Sequence, residues 1–245
     1  MNKLDPYVPP PEALRVWIEQ HPRVEAIDNH GFDLNLGWWN SRISESQGAP
    51  ITGRSGETGQ GFISRGDIFA LAEAARDDES GIGAVRLFWH ALAWGTGTSH
   101  RNSPRRIASV TANDSVALLL HRASILSATE PRAAFRLLKP GRNAIASLGP
   151  NFFTKFLYFA GGGALDHPCL IVDNRVLRSL QRETERPLLD PDRTTNYGPD
   201  VHEDALHVMK VWAQELSHPE RSVGADEVER WAFATGRRTS TIGTA

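Results

Sequence analysis

An all-α fold is predicted by three features of this sequence. Apolar residues recur at helical spacing through most of the chain from Ser64 onward. No pair of segments alternates with the period of two that facing strands require. Turn and cap residues punctuate the helical stretches. At 245 residues the chain can bury a large core, as one domain or as two packed helical lobes with a cleft.

Residues 1–63 are expected to form an N-terminal helix and an irregular segment packed on the core, with a helical domain over 64–245. Pro9-Pro10-Pro11 opens a helix from Glu12 to Gln20 that places Leu14, Trp17 and Ile18 on one face. Gly31 to Gly61, rich in Gly, Ser, Asn and Thr and containing Trp38-Trp39, reads as irregular structure. Ser64 is a candidate N-cap for a helix to Arg76, and further helices are expected over Ile82 to Trp94 and Ser109 to Ser127. Two short helices, Ala133 to Leu138 and Asn143 to Leu148, lead into a tight Leu148-Gly149-Pro150-Asn151 hairpin and a helix from Phe152 to Ala160. A glycine loop, Gly161-Gly162-Gly163, precedes the apolar run Cys169-Leu170-Ile171-Val172 and Asp173. Helices are then expected over Arg175 to Glu185, Asp200 to Leu216 and Ala225 to Thr235, the first followed by a Pro/Asp loop.

Composition narrows the function classes. A hydrophobic fraction of 40% and a mean hydropathy of −0.36 fit a soluble protein, and no apolar run approaches the ~18 residues of a bilayer span. Leu4 to Val8 reads as no signal sequence, and the expected compartment is the cytoplasm. One cysteine, Cys169, excludes an intramolecular disulfide and a four-cysteine iron–sulfur cluster. A net charge of −2 gives no global attraction to a polyanion, so a nucleic-acid footprint has to come from local patches. Such patches occur at His100, Arg101, Arg105 and Arg106, at Arg132, Arg136, Lys139 and Arg142, and at Arg175, Arg178, Arg182 and Arg186.

The richest stretch runs from Gly141 to Ser179. Two helices joined by a glycine turn present backbone N–H groups to a phosphate, and Gly149, Pro150 and Asn151 are the candidate anchor, with Gly149 at positive φ. The apolar run then delivers Asp173 to the mouth of the next helix, as its N-cap or just before it. Hairpin, helix, glycine loop, Pro168 and Val172-Asp173 with Arg175-Val176 together resemble the helix-hairpin-helix DNA glycosylase superfamily. The wording Leu148-Gly149-Pro150 with Phe152-Phe153-Thr154-Lys155-Phe156-Leu157-Tyr158-Phe159 is most similar to a bacterial branch described as 8-oxoguanine glycosylases.

That resemblance implies a glycosylase-like domain over 64–245 with its hairpin motif near 141–173. It implies that Asp173 is the catalytic acid and that a lysine after the hairpin attacks the sugar in lyase-competent members. Counting back from Asp173 puts Lys155 in the lysine's place; counting forward from Gly149 puts Phe153 there, which leaves Lys155 a surface or phosphate-contacting residue. By the same resemblance Trp94-Gly95-Thr96-Gly97 is a base-flipping loop, although a glycine C-cap explains the pattern equally. Arg142, Arg175, Arg101 and Arg105 are the candidate DNA contacts.

The implied partner is double-stranded DNA carrying a modified base, oxidised guanine by analogy, acted on by a monomer. The same chemistry on hypermodified phage bases, as antiviral defence, is an alternative. So is a non-catalytic helix-hairpin-helix DNA-binding module, in which Asp173 is only a cap and no pocket opens behind the hairpin. His90, His121 and His167 show no metal-ligand spacing, and no nucleotide-binding glycine motif occurs, so neither a metal nor a cofactor is expected.

Overall fold

The computed structural model describes residues 7–56, 59–189 and 196–237. Residues 4–6 of the Leu4–Val8 stretch and 190–195 of the Pro/Asp loop lie outside the described residues. The chain is mostly helical. In order it forms α1 (Glu12–Gln20), a π-helical turn (Val24–Asp28), β1 (Gly31–Asn35), α2 (Leu36–Ile43), β2 (Arg54–Ser55), β3 (Gln60–Ser64), α3 (Arg65–Phe69) and α4 (Ala72–Asp77). There follow α5 (Ile82–Thr96), α6 (Ser103–Thr111), α7 (Val116–Ser127), α8 (Pro131–Leu138), α9 (Pro150–Phe159), α10 (Asn174–Thr184), α11 (Pro199–Leu216) and α12 (Ala225–Thr235).

The core is built around α5, which is buried on nearly every side from Ala84 to Trp94. It packs against α9 through Phe88 on Phe156 and Trp94 on Phe159, with ring centroids 5.8 and 5.3 Å apart. Such tilted and edge-on pairs satisfy the ring quadrupoles as well as the hydrophobic drive. Leu14, Ile18, Trp39, Ile43 and Ile51, all from the first 63 residues, join the same apolar cluster.

Four local expectations change. The segment expected to be irregular contains an antiparallel sheet of order β1-β3-β2, registered Gly31 to Ser64 and Asn35 to Gln60. Its strands are too short to show an alternating pattern, and β1 buries only Leu34. The single helix expected over Ser64 to Arg76 is α3 and α4. Ser64 caps α3 with a reciprocal capping box to Asp67, and the chain turns again at Ala70-Leu71. The long helix expected from Ser109 is α6 and α7, parted where the Asn113 side chain accepts the Ser115 N–H at 3.1 Å.

The fourth change touches the hairpin. Asn143 to Leu148 is not helical, because Gly141 and Ser147 have φ of 106° and 63°, outside the right-handed helical region. Residues 139–149 therefore form an open connection between α8 and α9. Gly149 itself has φ −86° and ψ −176°, an extended conformation any residue adopts, so the expected positive φ lies two residues earlier, at Ser147.

His202 on α11 is fully buried, packs at a tilt 4.8 Å from Phe135, and has no hydrogen-bond partner on either ring nitrogen among the described residues. Burial pushes its pKa from 6.5 down to about 3. The unfolded chain therefore binds a proton that the folded chain refuses, and stability falls as pH drops from about 6.5 toward 3. By pH 5 the loss from this histidine is about 2 kcal/mol. Urea unfolding at pH 7 and pH 5 checks this: His202→Phe should be folded at both and show a shallower decline than wild type.

Candidate active site

The site forms where the chain passes from extended to helical. Val172 is held between α9 and the segment before α11: its N–H donates to Thr154 Oγ1 at 3.3 Å, and its carbonyl accepts the Tyr197 hydroxyl at 2.5 Å. Thr154 is itself fixed by donating to the Pro150 carbonyl at 2.7 Å. The next residue, Asp173, is the N-cap of α10, and its Oδ1 accepts the N–H groups of Arg175 and Val176 at 2.9 and 3.2 Å. Oδ2 faces Lys155 Nζ at 3.4 Å, and that amine also donates to the Asn151 carbonyl at 2.8 Å. Both side chains are nearly buried.

Lys155, not Phe153, is therefore the residue beside Asp173. Phe153 points into the core against Phe135, 4.9 Å between centroids. The forward count from Gly149 starts from a connection that is not a tight helical hairpin, and the residue it selects does not face Asp173. Room for Lys155 comes from Gly95, where an added Cβ would lie 2.7 Å from Lys155 Cδ.

The pair separates two hollows. The first, about 200 Å³, is lined by Phe32, Trp94, Phe233, Arg65 and Glu229 together with Gly95, Thr96, Gly97, Lys155, Ile171 and Asp173. The second, about 230 Å³, lies on the α9 side between Asn151, Phe152, Asn174 and Arg175. Asn151 Oδ1 and Asn174 Oδ1 are buried and have no hydrogen-bond partner among the described residues.

A buried ionic chain backs the first hollow. Arg65 is 1% exposed; it lies 2.8 Å from Glu229 Oε2 and donates to the Tyr158 hydroxyl at 3.1 Å and to His30 Nδ1 at 3.3 Å. Tyr158 in turn donates to Asp226, which holds Arg23 at 2.9 Å. Burial opposes the Arg65 charge, but Glu229 and Tyr158 outweigh it and fix the guanidinium as a cation. Burial lifts the Glu229 pKa above the ordinary carboxylate range, with Arg65 pulling it back, and burial together with Arg65 drives His30 down to about 3.

A family profile described as "Putative 8-oxoguanine DNA glycosylase OGG-like protein" matches residues 25–233. The chain belongs to that family. No curated protein and no solved structure matched. Membership gives the OGG-like chain a DNA glycosylase-like function and a DNA substrate at the level of the family. No helix among the described residues is long and apolar enough to cross a membrane.

The other residues selected from the sequence fall in varied places. Gly149, Pro150 and Asn151 form the start of α9, with Pro150 buried. Arg106 lies over Phe152 at 3.9 Å, which brings α6 with its exposed Arg105, and the exposed Arg101 just before it, beside the start of α9. Arg142 is exposed on the open connection, and Arg175 lies over Phe233 at 3.9 Å. Arg132 is paired with Asp200 and Glu203, and Arg182 with Glu183. Gly95, Thr96 and Gly97 line the first hollow, whereas Trp94 is a buried wall packed on Phe32 and His30. His90, His121 and His167 each bond a backbone carbonyl.

Arg65, Glu229, Phe32 and Phe233 were not singled out in the sequence. A signal existed: Glu229 sits between Val228 and Trp231 on the buried face of α12, and Phe233 is one turn beyond. A charge in a buried helical stripe needs a partner or a function.

Gly95→Ala should leave the melting temperature unchanged or higher, because alanine is the better helix former by about 1 kcal/mol. It should also move Lys155 Nζ away from Asp173 in a crystal structure. A superimposable Lys155 would mean that its stem has slack at this contact.

Proposed function

We propose that this chain is a DNA N-glycosylase with lyase activity that flips a modified base, oxidised guanine in the first instance, into the hollow beside Asp173. The observation that carries the reading is the Lys155–Asp173 contact at the edge of a base-sized, aromatic-lined cavity. A binding module has no use for such a cavity. Its volume of about 200 Å³ is below the ~300–1,000 Å³ of drug-sized sites, which suits one flat ring system better than a base carrying a further sugar. That favours repair over attack on hypermodified phage DNA. The proposed form is a cytoplasmic monomer, with exposed Arg101, Arg105 and Arg142 and the start of α9 holding the backbone without reading sequence.

The chemistry follows from the two oxygens of Asp173. Oδ1 is committed to the α10 amides, so the carboxylate is held at a fixed angle while Oδ2 acts. Oδ2 takes a proton from Lys155, and the neutral amine attacks C1′ of the flipped nucleotide. The bond from C1′ to the base breaks, its electron pair leaves with the base, and the base receives the proton from Asp173. Positive charge that develops on the sugar is stabilised by the carboxylate. A proton of the attacking nitrogen then passes to the ring oxygen as the sugar opens, giving a Schiff base.

Asp173→Asn keeps the cap, since asparagine caps as well as aspartate, and removes the charge. Single-turnover excision should fall at least about a hundredfold with the melting temperature little changed. Excision at the wild-type rate would end the catalytic assignment.

Borohydride decides the role of Lys155. Wild-type protein with substrate duplex should give a covalent adduct, and Lys155→Gln should lose both adduct and excision. Excision without an adduct, retained in Lys155→Gln, would instead make water the nucleophile.

A further inference from the structure

Glu229 presents a carboxylate that, among the described residues, only the Arg65 guanidinium approaches. It is 1% exposed, and neither Oε1 nor Oε2 accepts an aligned hydrogen bond from any described residue. The Arg65 guanidinium lies 2.8 Å from Oε2 and favours the ionised form against burial, but Arg65 spends its aligned N–H bonds on Tyr158 and His30. A buried acceptor left this way is costly unless a ligand supplies the donors. Glu229 lines the same hollow as Asp173, between the rings of Phe32, Trp94 and Phe233.

Resting on the glycosylase reading above, we infer that Glu229 reads the edge of the flipped base and selects a ring that offers two adjacent N–H donors. A carboxylate ion only accepts, on two oxygens side by side. A guanine-type edge, with a ring N–H next to an exocyclic amino group, meets both oxygens. Uracil and thymine place their single ring N–H between two carbonyl oxygens, so an acceptor faces an acceptor. Adenine and cytosine set one amino group beside a ring nitrogen lone pair, with the same clash. Arg65 acts as the positioning residue, since from α3 it sets its guanidinium against Oε2 of Glu229 on α12 and favours the ion there. Specificity thus lies in a repulsive arrangement as much as an attractive one.

The test is single-turnover excision from duplexes carrying 8-oxoguanine, its analogue lacking the 2-amino group, or uracil. Wild-type protein should remove 8-oxoguanine at least about a hundredfold faster than the analogue, because a site built around hydrogen bonds discriminates strongly against their loss. In Glu229→Gln that ratio should shrink to under about tenfold, a change that a general loss of stability does not produce. Equal wild-type rates on both purines, a preference for uracil, or an unchanged ratio in Glu229→Gln would overturn the assignment and leave the glycosylase standing. Should the variant fail to fold, the two wild-type purine rates decide alone. Absence of excision from all three duplexes would overturn the glycosylase reading itself, and this inference with it.

Discussion

The contact on which the site depends is the docking of the Val172 backbone between α9 and the segment that leads into α11. Thr154 and Tyr197 grip Val172 through its N–H and its carbonyl, and this sets where the extended segment ends. Asp173 then has one position available, as the cap of α10, and its second oxygen falls against Lys155. A shift of one residue along this segment would put Val172 or Asn174 at the cap and point the carboxylate away. The apolar run before Asp173 is therefore both core and ruler: Leu170, Ile171 and Val172 are all buried, and burial locks the register that aims the acid.

The sequence made the long elements legible because their apolar stripes are long enough to read. α1, α5, α9, α10, α11 and α12 lie within a residue or two of their expected bounds. Asp173 as a cap was visible because an aspartate after an apolar run and before a helical pattern is a local signal. The three-strand sheet was not visible, since its strands are short and one is anchored by glycines whose value lies in close approach. Gly61, for example, leaves no room for a Cβ beside Leu36. The proximity of Lys155 to Asp173 was ambiguous because two counting origins disagreed, and only the path of residues 139–149 removes the ambiguity.

Arg65 and Glu229 were harder to find, and the reason is distance. They are 164 positions apart, and each has a nearer opposite charge in its own helix, Asp67 for Arg65 and Arg230 for Glu229, so nothing local marks the two as a pair. Helical periodicity identifies a buried face but does not say what lies opposite. Burying such a pair is a poor route to stability, since well-packed apolar residues usually do as well or better. Its presence on the wall of a cavity is better explained by what the cavity holds.

Cys169 sits four residues before Asp173, in the segment that sets the register of the site. It is the one cysteine of the chain; its side chain is fully buried, its Sγ lies 3.5 Å from the Ser127 carbonyl, and burial pushes its thiol far up from the usual range. Peroxide and disulfides attack thiolates, so this sulfur is chemically silent while the fold is intact. Oxidants that reach the folded protein thus find no thiol through which to disable it.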